Sequence, residues 1–204
     1  KDPEKRIHRS FELFWIWLSK SYFVTTAINF NFFDSDLYMW SDIGCFRRKN
    51  YNFKEMILQR DKVPTDRILQ MAHHKPNPPP YIWWNDKYTQ RALFYHSGSQ
   101  MVGYQDTWLA FHTEFLKTID GFVQRSMFIG EDQTVLQSTC SRVPSLCAYV
   151  SFDQVGDNHY FGLRYVTHTP NKTYKYWYPP TSGIVAERHE VQDKSLLKPV
   201  PLPS

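Results

Sequence analysis

The sequence predicts an α/β domain with a mostly parallel sheet flanked by helices. Two observations carry that expectation. Short apolar runs of strand length, such as Leu37–Trp40 and Ser145–Phe152, alternate with longer segments whose apolar residues recur every three or four positions. The chain of 204 residues, 42% apolar and 17% aromatic, can fill one core and is too hydrophobic for a disordered chain.

The elements follow in order. Residues 4–28 read as one amphipathic helix, with Ile7, Phe11, Phe14, Trp15, Leu18 and Tyr22 at helical spacing. Lys5, Arg6, Arg9, Glu12 and Lys20 supply its polar positions. Phe11, Trp15 and Leu18 are expected to pack on the sheet. Leu37–Trp40 suits a strand buried on both faces. Short helices are expected over Lys54–Arg60 and over "PTDRILQMA" after it. The prolines of "HHKPNPPPY" break the pattern. "RALFYHSGSQMVGY" reads as a strand, a glycine turn and a second short strand. Trp108, Leu109, Phe115, Leu116, Ile119, Phe122 and Val123 mark a long helix. "EDQTVLQSTCSRV" opens with two acids, which complement a helix dipole. Ser145–Phe152 is a strand. From residue 167 the chain turns rich in Pro, Tyr and Lys, so the domain is set at 1–166 and an extended tail or wrap at 167–204.

A net charge of +4 without a dense basic run does not call for nucleic acid, and no apolar stretch reaches the roughly 20 residues of a membrane span. Cys140 and Cys147 can close a small loop as a disulfide; reduced, half-buried thiols are the preferred expectation, on general cysteine behaviour. The sequon Asn171-Lys172-Thr173 leans towards a secretory lumen over the cytoplasm.

Chemistry is expected at the carboxyl ends of the strands. Asp34 and Asp36 precede the Leu37–Trp40 run, whereas Asp42 follows it. The Asp-Ser-Asp triplet is therefore expected in structural roles and Asp42 in the cleft. Asp42 can reach a divalent cation or cap a turn, and Gly44 lets a ligand approach. Glu131 and Asp132 can supply a general base or cap a helix. Ser97, Gly98 and Gly103 offer a close-approach surface or belong to a hairpin turn. His159 can complete a metal site with an aspartate.

The segment from His8 to Arg47 is similar to the core block of the HtrL/YibB-like family. The matching residues are Trp17 and Lys20, then Asn31, Phe33, Ser35 and Asp36, then Trp40, Asp42 and Gly44. "GSQMVGY" and "GEDQTVLQ" follow in the family's order, and the likeness spans about residues 5 to 155. It implies a glycosyltransferase of GT-A type, with a nucleotide-sugar donor and a glycan acceptor. Asp42 would take the place of the metal-binding acid, with Gly44 where a second acid often stands. Mn²⁺ or Mg²⁺ would be held by Asp42 and His159, and Arg47 and Arg48 would add positive charge. Asp132 is the first choice for the base and Glu131 the second. Gln133 with Ser97, Gly98 and Gly103 would shape the acceptor side, and Trp83, Trp84 and Tyr104 could stack on sugars. The resemblance also implies a further strand upstream of Lys5. The rival expectation is a non-catalytic carbohydrate-binding or interaction module on a degenerate transferase fold.

Overall fold

Among the described residues four strands form one mixed sheet in the order β1-β3-β2-β4. The computed structural model describes residues 10–46, 58–72, 96–126, 129–155, 162–168 and 173–178. Arg47, Arg48, Trp83, Trp84, His159, the 73–81 break and most of the Lys54–Arg60 segment lie outside these. Strands β1 (Leu37–Ser41), β2 (Ile68–Ala72) and β4 (Cys147–Ser151) point one way, because β2 pairs parallel with β4 and both β1 and β2 pair antiparallel with β3 (His96–Tyr104). Two of the three ladders are thus antiparallel. The expected mostly parallel sheet is corrected here: apolar patterning reports a strand's burial and not its direction, and β3 runs backwards between two co-directional strands.

Alternation along the strands separates two cores. Ile68, Ala72, Met101, Cys147 and Tyr149 face α2 (Lys20–Phe30), α3 (Gln105–Gln124) and α4 (Asp132–Arg142), packing with Val24, Ile28, Trp108, Phe111, Phe115 and Leu136. Leu69, Met71, Val102, Ala148 and Val150 face α5 (Gly162–His168) through Leu163 and Val166. Helices therefore cover both faces.

Several elements depart from expectation. The first helix is two, α1 (Phe11–Leu18) and α2, joined at Ser19, whose ψ of 0° leaves helical geometry. The buried stripe of α2 is Lys20, Ser21, Val24, Thr25 and Ile28, while Phe11 and Trp15 are 60% and 65% exposed. Only Leu18 of the three expected anchors packs against the core. The turn at Ser19 breaks the phase that the aromatic periodicity assumed. "ILQMA" is the fully buried strand β2 and not a helix, because pairing on both sides outweighs the helix propensity of Leu, Gln, Met and Ala. β1 is a half-buried edge strand rather than one buried on both faces. β3 is a single nine-residue strand, so Gly98 and Gly103 do not make a hairpin turn.

Cys140 and Cys147 are joined by a disulfide, against the preferred reduced thiols; the end of α4 and the start of β4 lie 5.7 Å apart at Cα. Residues 173–178 run extended, and Trp177 exchanges two backbone hydrogen bonds with Tyr149 of β4.

Candidate functional site

The carboxyl ends of β1, β2 and β4 and the amino end of β3 share one edge of the sheet, and a polar cluster gathers there. Its centre is Lys20, the first residue of α2, which is 3% exposed. Its Nζ donates to the Asp132 carboxylate at 2.6 Å and to the Gly98 carbonyl at 2.8 Å. It also stands 3.1 Å and 3.2 Å from the two oxygens of Asp42. An ammonium has three N–H donors, and here each has an acceptor.

Asp42 leaves β1 at its carboxyl end. Its backbone N–H donates to Ser99 and its carbonyl accepts from Cys45, which fixes the turn after the strand. The Trp40 indole N–H donates to Asp42 Oδ1 at 2.7 Å. The side chain of Asp42 remains 35% exposed. Asp132 opens α4 and is buried, with Oδ2 on Lys20 and Oδ1 accepting from the Gln133 backbone N–H at 2.9 Å. Burial pushes the Asp132 carboxyl up, against the Lys20 ammonium that draws it down. The pair thus combines an accessible carboxylate with a shielded one.

Gly98 makes the convergence possible. β2 advances one residue from Gln70 to Met71 while β3 runs from Met101 to Ser97, so Gly98, Ser99 and Gln100 are accommodated by an irregularity in the ladder. A Cβ on Gly98 would lie 2.0 Å from Asp132 Oδ2, so only glycine leaves room for the carboxylate over the strand.

The structure therefore brings together Asp42, Asp132 and Gly98. Glu131 and Gln133 flank Asp132 and are partly exposed. Ser97 is fully buried, and its hydroxyl bonds Ser99. Gly44 follows Asp42 in a short 3-10 turn, Ile43–Phe46. Gly103 stands apart: it pairs with Tyr38 near the start of β1, and its missing side chain makes room for Ile68. Tyr104 is at that same end, with Arg60 over its ring. Asp34 and Asp36 are there too, separated from Asp42 by the whole five-residue length of β1, about 17 Å at some 3.3 Å per residue. Asp34 takes a left-handed turn conformation (φ 49°), and Asp36 makes an exposed two-pronged ion pair with Arg60. The guanidinium holds the Asp36 carboxyl below its usual range. The structural roles expected for the triplet are the ones it has.

In the sequence Lys20 reads as one of the polar positions of the first helix, and the structure buries it. The signal was present: Lys20 lies four and eight residues before Val24 and Ile28, on the stripe that faces the core. Trp40 was missed as a partner of Asp42 because it reads as one more strand aromatic. The buried Cys45 thiol is pushed up by burial, which makes it a poor nucleophile.

A divalent cation shared by the two carboxylates needs oxygen contacts of about 2.0–2.6 Å. The Lys20 ammonium already fills the space between them. A dication about 4 Å from that ammonium would meet a repulsion of roughly 8 kcal/mol at an effective dielectric of about 20. Among the described residues no three His, Cys, Asp or Glu side chains gather as a metal cage. The donor set of Lys20, Asp42 and Asp132 does not fit a bridging Mn²⁺ or Mg²⁺.

Comparison with protein-family models, with curated proteins and with solved structures finds no match to this chain.

Proposed function

We propose that this domain transfers a glycosyl group from a nucleotide-sugar donor to a hydroxyl of a carbohydrate or glycoconjugate, on a scaffold of GT-A type. The observation that carries it is the meeting of Asp42, at the carboxyl end of β1, with Asp132, ninety positions later, across one buried ammonium. Two carboxylates and a lysine brought together at the ligand-binding edge of an α/β sheet suit proton removal from a hydroxyl beside a leaving anion.

Exposure distributes the roles. Asp42 is the carboxylate within reach of a substrate and takes the acceptor's proton. The acceptor oxygen then bonds the anomeric carbon, and the bond from that carbon to the diphosphate breaks with its electron pair on the departing oxygen. Asp132, shielded from solvent, positions Lys20 and through it Asp42.

The test is hydrolysis and transfer over a panel of UDP- and GDP-sugars. Asp42→Asn is expected to lower turnover by about 10²–10⁴-fold, the usual worth of a general base, while the melting temperature shifts by only a few degrees. Failure of every donor to bind or react would overturn the proposal.

A second reading is favoured by one feature: Lys20 has all three donors engaged, as a purely structural knot would. In a non-catalytic carbohydrate-binding module the same panel would show glycan binding without turnover, and Asp42→Asn would change stability alone.

A further inference from the structure

We infer that Lys20 is the resident cation of this site, occupying the place of a bridging divalent metal, and that the chemistry at Asp42 proceeds without one. In its catalytic meaning the inference rests on the transferase reading; in its metal chemistry it stands alone.

The geometry is that of a built cation site. One buried positive charge is held by two carboxylates and a backbone carbonyl, all oxygen donors of the kind a hard cation takes. Lys20 is delivered there by the first turn of α2, whose stripe of Val24, Thr25 and Ile28 is buried. The ammonium is therefore tethered and cannot be diluted away, unlike an ion drawn from solution. Gly98 contributes on two counts: its carbonyl takes the third N–H of Lys20, and its missing side chain admits Asp132. Trp40 completes the enclosure, donating to Asp42 with its ring 5.9 Å from the ammonium.

Lys20 is a positioning residue. Its ammonium and the Trp40 indole N–H fix the Asp42 carboxylate in place while leaving part of it open to solvent. A single tethered charge suffices to keep two neighbouring carboxylates together.

The inference is tested with Mn²⁺ alone as the probe, read by electron paramagnetic resonance and by thermal shift. Wild-type protein is expected to show no Mn²⁺ binding that depends on Asp42. Lys20→Met keeps the aliphatic stem and removes the charge, leaving Asp42 and Asp132 facing each other. This variant is expected to gain Mn²⁺ binding and a Mn²⁺-dependent rise in melting temperature, both lost in the double variant with Asp42→Asn. Should Lys20→Met not fold without metal, its recovery on adding Mn²⁺ supports the inference equally. Wild-type binding of Mn²⁺ that is abolished by Asp42→Asn would overturn it. Where transfer is detected, chelation by EDTA is expected to leave its rate unchanged, and a rate that collapses and returns with Mn²⁺ would overturn it too. If no donor reacts, the transferase reading falls, while the Mn²⁺ titrations still decide what occupies the site.

Discussion

Replacing Gly98 with alanine would place a methyl carbon 2.0 Å from Asp132 Oδ2 and 2.8 Å from its Cγ. Something must move by more than an ångström. Asp132 cannot swing away freely, because Oδ2 is bonded to Lys20 and Oδ1 to the Gln133 N–H. Overpacking of this kind costs about 1–3 kcal/mol, and loss of a charge-assisted hydrogen bond costs about 1.5–3 kcal/mol. Together they give roughly 2.5–6 kcal/mol. In a chain of this size each kcal/mol moves the melting temperature by about 2–4 °C, so a fall of roughly 5–24 °C is expected. Differential scanning calorimetry measures it, with Gly121→Ala as the matched control. There the new Cβ meets only the far end of Arg125 at 3.1 Å, inside α3, and removing a helical glycine should stabilise by up to about 1 kcal/mol. If Gly98→Ala melts within a degree or two of the parent, Asp132 is not pinned as described, and the enclosure around Lys20 loses its main constraint.

Two further outcomes separate the core from the exposed aromatic face and probe the contact between α2 and α3. Trp15→Ala should change stability by no more than about 0.5 kcal/mol, whereas Phe111→Ala, wholly buried, should cost about 3–5 kcal/mol; equal losses in urea titrations would contradict the exposure of Trp15 on α1 and the burial of Phe111 on α3. Burial holds His112 below its ordinary value of 6.5, and its ring nitrogen bonds Ser21 across to α2. As pH falls through 6.5 the unfolded chain takes a proton that the folded one resists, so stability should decline there and level off below the folded value. His112→Gln should remove that part of the slope, and an unchanged pH profile would show that His112 is not its source.

The site was partly legible because one of its members sits at a boundary that patterning reveals. Asp42 stands where an apolar run stops, at the carboxyl end of a strand, where ligands of α/β sheets are expected. The same logic sent Asp34 and Asp36 to the opposite end, where they are found. Lys20 was obscured by its residue type. A lysine is read as solvent-facing, and only the phase of Val24 and Ile28 says otherwise, a phase masked by the aromatic series that ends at Tyr22. The bend at Ser19 that separates those two series leaves no mark in composition. Strand direction was equally hidden: nothing in "HSGSQMVGY" states that it runs against its neighbours. In "ILQMA", residues of good helix propensity became a central strand because burial between β3 and β4 decided the outcome. The Cys140–Cys147 bridge depended on α4 handing over to β4 at short range, which spacing alone permits but does not require.

The two backbone bonds between Trp177 and Tyr149 bear on how the molecule behaves among its own copies. Among the described strands β4 is the outermost on its side, five residues long and wholly buried. Stripped of its neighbour, such a strand would offer unpaired N–H and C=O groups as a template for any passing chain. The 173–178 strip is that neighbour, with Tyr174 tucked under it and the Lys175 ammonium lying 4.6 Å from the Trp177 ring. Removing that strip would leave the outer edge of β4 open to pairing with another copy of the chain.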